Sequence, residues 1–200
     1  MSKDSCRPYH HGNLFQALIN TALELLQEQG SWQFNLREVA RRTGVSHAAP
    51  YRHFSDKTAL LTELALVGFD ALGDALSASR QPENPVQQQL LAAAMAYVAF
   101  ADANPALYRL MFSADAGNRE DVHLSQRAQN TFTVVLALLE QGRREGVFNG
   151  KRPLQSQALA CWAEVHGLAL LAIDGLLLPE KVGNDPVSAA LSTLVEGLGA

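Results

Sequence analysis

The segment Leu36 to Lys57, LREVARRTGVSHAAPYRHFSDK, constrains this chain more than any other stretch. It spells two short helical runs joined by a glycine. Asn35 is placed to cap the first run, with Glu38 three residues on to close a capping box. Leu36, Val39, Ala40 and Thr43 then fall at i, i+3, i+4 and i+7 on one face. Gly44 stops that helix because glycine enters the left-handed region without steric cost, and Val45 supplies the apolar contact that follows such a stop. Ser46 is a ready N-cap for a second helix over roughly His47 to Phe54. Runs this short are unstable alone, so the second must lie against the first, as in a helix-turn-helix whose second member enters a major groove.

The side chains suit that geometry. His47, Ala48 and Ala49 open the second run with an imidazole and two methyl groups, which match base edges and thymine methyls. Pro50 departs from good helix chemistry but is tolerable in a first turn. Tyr51, His53 and Lys57 can donate to phosphates, and Arg37 and Arg41 add charge from the preceding helix.

Gly44-Val45-Ser46, Tyr51-Arg52-His53-Phe54 and Lys57 together resemble the DNA-binding domain of the TetR family of bacterial transcriptional regulators. The likeness extends back through Tyr9-His10-His11-Gly12-Asn13-Leu14 and forward into a long helix starting at Ser55. It implies that Arg37, His47 and Ala48 touch bases while Ala49, Tyr51, His53 and Lys57 hold the phosphate backbone, and that Ser46, at the start of the reading helix, belongs to the DNA-binding set. Ala48 and Pro50 stand where many members carry glycine and a helix-favouring residue.

The net charge of −4 argues against DNA until it is divided. Residues 1–57 hold seven Lys or Arg against five Asp or Glu, a balance of +2, and residues 58–200 hold nine against fifteen, a balance of −6. Four of the six histidines, His10, His11, His47 and His53, also lie in the basic part. A field of +2 is weak, so useful binding calls for two copies and should fall as salt rises. At 200 residues and 48% hydrophobic the chain has room for a sizeable core. It shows no signal-peptide pattern and no run expected to span a bilayer. Cys6 and Cys161 pair with no metal-ligand motif, which points to a reducing cytoplasm.

Helical periodicity continues to the end without sustained alternation of period two. Leu14, Leu18, Ala22 and Leu25 form the stripe of a first helix, and Trp32 and Phe34 are placed to plug the gap before the second. Ser55 should cap a helix carrying Leu60, Leu61, Leu64, Val67, Ala71 and Leu72. Further helices are expected near 86–103, 105–113, 120–145, 153–178 and 186–198. The prediction is all-α with about nine helices: a three-helix DNA-binding head over residues 1–55 and a helical effector-binding and dimerisation body over 56–200.

Trp162-Ala163-Glu164-Val165-His166-Gly167 resembles the WHG motif that names one class of TetR-type C-terminal domains. Trp162 and His166, four apart, share a helix face. Either they are core or interface residues, or they border an effector cavity with Tyr97, Phe100, Tyr108, Met111, Phe112 and Phe132. The Arg143-Arg144-Glu145 run reads as a solvated helix end. Cys161 has no supported base, and Asp102, Asp115, Glu164 and Asp174 form no converging set, so neither an enzyme nor a cofactor or metal is expected.

The sequence therefore predicts a cytoplasmic homodimeric regulator of the repressor kind that binds a palindromic double-stranded DNA operator. It would respond to a small, mostly apolar effector and have no membrane partner. The alternative is an architectural or partner-controlled DNA-binding protein with a filled body.

Overall fold

The computed structural model describes residues 14–123 and 125–199, and among them it contains ten α-helices, two 3-10 turns and no strand. The Tyr9 to Asn13 part of the family resemblance and Cys6 lie outside the described residues. Helix α1 (Leu14–Gln29) buries Leu18, Ala22 and Leu25 as its spacing predicts, with Ile19 and Leu26 beside them. Helix α2 (Leu36–Thr43) starts at Asn35, whose Oδ1 accepts the Glu38 N–H at 3.0 Å. The expected capping box closes on that side alone. The Glu38 carboxylate accepts instead from Gln29 Nε2 at 3.3 Å, which ties α2 to the end of α1.

Gly44 ends α2 at φ 79°, its N–H reaching the Arg41 carbonyl and the Val45 N–H reaching that of Ala40 at 2.9 Å. Both bonds satisfy carbonyls that a helix end otherwise leaves open. The second run differs from the expected α-helix. It is a turn followed by a 3-10 turn, Pro50–Arg52. The physical cause is Pro50, which has no N–H to bond back to the Ser46 carbonyl. The chain tightens to three-residue spacing, with the Ala49 N–H on Ser46 O at 2.9 Å and the His53 N–H on Pro50 O at 2.9 Å. That turn starts from Ala49 without a side-chain cap, so the Ser46 hydroxyl does not serve as one.

Helix α3 (Lys57–Ala78) is capped by Asp56, not Ser55, through Oδ1 and the Ala59 N–H at 2.9 Å. Its first turns close the head with Leu60, Leu61 and Leu64, and its remainder enters the body. The body adds α4 (Val86–Ala103), α5 (Pro105–Met111), α6 (Arg119–His123), α7 (Gln126–Arg144), α8 (Leu154–Ile173), α9 (Pro179–Val182) and α10 (Pro186–Gly199). Two expected long helices are shorter. The 120–145 run divides where Ser125 Oγ caps α7 by accepting the Ala128 N–H at 3.2 Å. The 153–178 run stops at Ile173 because Gly175, at φ 65°, turns the chain and the Leu176 N–H folds back to Leu171 O.

Polar ties lock the helices. Arg127 on α7 bridges Glu63 and Asp70 of α3, both at 2.6 Å. Arg143, expected to be solvated, donates Nε to Gln157 Oε1 at 2.8 Å and Nη2 to the Arg152 carbonyl, so it fastens α7 to the start of α8. Head and body share one continuous buried cluster. Across their join the Trp32 indole N–H donates to Asp115 Oδ2 at 2.8 Å, and the Thr62 hydroxyl donates to the Ala116 carbonyl at 2.6 Å. Trp32 is thus more than the plug the sequence suggests, while Phe34 is buried as expected. Contrary to the hydropathy expectation, α8 is long and apolar enough to cross a membrane by length and composition.

Candidate functional site

The reading edge follows from the Gly44 turn. Arg37 and Arg41 on α2, and Ser46, His47, Ala48, Tyr51, Arg52 and His53 beyond it, are exposed on the head. Ala49 and Pro50 are buried. Ala49 therefore leaves the set of contacts expected from the sequence: its methyl faces the core and its N–H is taken by Ser46 O. The imidazole of His53 meets Phe15 edge-on at 5.9 Å, and Phe54 stacks on the same ring at 5.4 Å. Those aromatic contacts fix the far end of the edge. Lys57, in the first turn of α3, holds its ammonium 5.9 Å from the centroid of Phe34. Arg52 was not singled out from the sequence, although it lies within the Tyr51 to Phe54 signature. Arg42 is engaged with Glu28.

The body contains a cavity of about 750 Å³ walled by α3, α4, α7, α8 and α10 with Phe112 and α6. Its size lies within the range of small-molecule sites. Tyr97, Phe112, Phe132, Trp162 and His166, all expected there, line it. Phe100, Tyr108 and Met111 do not. Met111 is fully buried against Gly68, with Sδ 2.6 Å from where a Cβ on that glycine would stand. Phe100 packs on the core away from the cavity wall. Tyr108 sits one layer behind the wall, fully buried, its hydroxyl 3.0 Å from that of Tyr97 and 2.6 Å from His166 Nδ1. It supports the lining without touching the space.

The structure adds wall residues that periodicity alone did not reveal: Phe69 from α3, Arg119 and His123 from α6, and Leu136 and Leu159 from α7 and α8. Phe112 stands between the two histidines, stacked on His123 at 5.5 Å and edge-on to His166 at 4.5 Å. Burial lowers the affinity of both imidazoles for a proton. The neighbouring Arg119 adds to this at His123, and His123 does so at His166. Burial also raises Tyr97 and Tyr108 and pushes the Cys161 thiol up to about 11, which leaves that cysteine a poor nucleophile. Glu164 and Ala163, neighbours of Trp162 on α8, lie off this wall.

Around the mouth, Phe132, Leu159 and Trp162 are partly exposed, and Leu159 reaches 57%. Leu171 continues that apolar surface along α8, with Gly167 open between. On sequence grounds the apolar faces Leu159, Trp162, Leu170 and Leu171 of α8 and Leu191, Leu194 and Leu198 of α10 are candidates for a dimer contact. The α10 stripe is different from that of α8: Leu191 and Leu198 are buried against the chain's own body.

Comparison with known proteins agrees with both halves. Residues 18–64 match the bacterial regulatory proteins of the tetR family, and residues 90–198 match a tetracyclin repressor-like C-terminal domain. The nucleoid occlusion factor SlmA of Pectobacterium carotovorum is 30% identical over 143 residues, covering 72% of this chain and 70% of that one. Its counterpart from Marinobacter nauticus is 28% identical over 153 residues and 76% of each chain. A protein of unknown function from Rhodococcus sp. RHA1 superposes with a TM-score of 0.83 at 32% identity, over 98% of this chain and 100% of that one. A tetR-family regulatory protein from Rhodococcus RHA1, with a TM-score of 0.65 and 22% identity over 92% and 96%, shares the fold.

Proposed function

The chain belongs to the TetR family of DNA-binding regulators, and from that premise we propose that it is a homodimeric, ligand-responsive transcriptional regulator, acting as a repressor in the cytoplasm. The observation that carries the ligand response is the cavity of about 750 Å³ in the same chain as the exposed reading edge. Arg37, His47 and Ala48 read bases, Ser46, Tyr51, His53 and Lys57 hold phosphates, and Arg52 joins the phosphate set. Residues 1–55 act as the DNA-binding unit and 56–200 as the sensing and dimerising unit. Two heads on one duplex require a palindromic operator. The exposed side of α8, with Leu159, Trp162 and Leu171, supplies the apolar seam.

Control is a shift between two head spacings. A ligand moves that balance only if it binds one spacing more tightly than the other. Selection of bound fragments from genomic DNA tests the reading head and should return a two-fold symmetric site. Ala94→Trp tests the body, since Ala94 lines the cavity while the exposed Ala163 does not. The variant should alter operator affinity or abolish its response to hydrophobic small molecules with its melting little changed. A second reading draws support from relatives named as nucleoid occlusion factors: partner-controlled DNA binding without an effector. It would be favoured by many scattered genomic sites and by an Ala94→Trp protein that behaves as the wild type.

A further inference from the structure

We infer that the effector is an apolar, arene-sized molecule carrying an anionic group such as a carboxylate, with that group held by Arg119 and the imidazoles of His123 and His166. This rests on the ligand-responsive reading above and gives it a chemical class. The charge on the wall carries the argument. Among the described residues, the ionisable side chains that line the cavity are Arg119, His123, His166, Tyr97 and Cys161, and no aspartate or glutamate lines it. A cationic ligand would be buried there without a counter-charge, which is costly. An anion meets donors.

Arg119, exposed on α6, is the arginine that lines this cavity. Arg109 and Arg127 are in ion pairs and Arg143 is bonded to Gln157, whereas Arg119 is in no ion pair among the described residues and its charge is left for a ligand. Its guanidinium is a two-pronged donor on the rim of a largely apolar space. The histidines add a second feature. Tyr97, Tyr108 and His166 form a chain of hydroxyl, hydroxyl and Nδ1 with spacings of 3.0 and 2.6 Å. Each hydroxyl has one proton, so the chain can run in either direction. If Tyr97 donates to Tyr108 and Tyr108 to Nδ1, His166 carries its proton on Nε2 and becomes a donor. An anion selects that direction without requiring a charged imidazole, and it suits a site where burial keeps both rings neutral. The aromatic faces of Phe112, Phe132 and Trp162 take the apolar remainder.

The test uses the intact protein and three probes that share one arene: 2-naphthylacetate, its primary amide and 2-(2-naphthyl)ethylamine, titrated calorimetrically. The acid should bind about tenfold or more tighter than the amide, as expected for charge-assisted bonds, and the amine more weakly than either. Arg119→Gln should bring the acid down to the affinity of the amide while leaving the amide unchanged, which also shows that the variant is folded. Ala94→Trp should weaken all three. Equal binding of acid and amide, or tighter binding of the amine, overturns the anionic class while the sensing function stands. Acid binding that survives Ala94→Trp places the site elsewhere and overturns the proposal. Binding of none of the probes, with no effect on operator release, overturns both the class and the sensing function but leaves the DNA-reading head untouched.

Discussion

Head and body are built from the same kind of helix, yet one is filled and the other is not. In the head, Leu18, Leu25, Phe34, Val39 and Leu60 are at most 1% exposed, and the reading edge is set by a few short-range bonds around Gly44 and Pro50. In the body, Phe132 and Trp162 remain 36% and 40% exposed on the rim of a cavity. A reader of DNA must hold side chains at fixed spacing, which favours dense packing. A sensor must leave space that a ligand can fill, and it forgoes some packing to do so.

The sharpest way to break this contrast is to truncate one phenylalanine in each half. Phe34→Ala should cost about 3 to 5 kcal/mol, because a fully enclosed ring leaves a cavity the surroundings cannot close. Phe132→Ala, already beside empty space, should cost roughly 1 kcal/mol or less. Urea denaturation measures both, and equal losses would mean that the body is packed as tightly as the head.

Backbone substitutions should erase the contrast. Gly44 and Gly175 end α2 and α8 with the same pair of bonds, at φ 79° and 65°, and neither has a neighbour near its missing Cβ. Gly44→Ala and Gly175→Ala should each cost about 1 to 2 kcal/mol, since the penalty is local left-handed strain. A large difference between them would show tertiary strain at one site.

The join between the halves is a smaller term. Trp32→Phe keeps the ring and removes the N–H that reaches Asp115. It should lower stability by about 1 kcal/mol or less, because the carboxylate is left in water. A change in operator affinity larger than the change in stability would mark this bond as part of the coupling.

The smallest effect is in pH. His123 and His166 have proton affinities below the ordinary value near 6.5 in the folded state, so unfolding favours proton uptake. Their contribution is complete above that value and shrinks as pH falls through it. Melting temperature should therefore drop more between about pH 7.5 and about pH 5.5 in the wild type than in His123→Gln/His166→Gln. An identical slope in both would mean the rings are solvated.

Local rules made much of the head legible in advance. The Asn35 cap, the Gly44 stop and the 3.6-residue stripe of α1 act within a turn or two, so residue type and spacing determine them. The same rules overreached where two local preferences competed. Pro50 removed the hydrogen bond that an α-helical reading segment needs, and Asp56 displaced Ser55 as a cap by forming the bond to Ala59.

By itself, then, the sequence determined the helical class, the turn between α2 and the reading edge, and the aromatic character of the cavity wall. Only the tertiary structure decided which aromatics face that space. Tyr108 and Met111 lie on short α5 and both are buried, where Gly68 on α3 admits Met111 and His166 on α8 meets Tyr108. It also decided that the α10 stripe covers its own body, that Arg143 binds Gln157, and that His123, 43 residues from His166 in sequence, lies against the same phenylalanine. Periodicity reports which side of a helix is apolar; what that side meets depends on how distant helices cross.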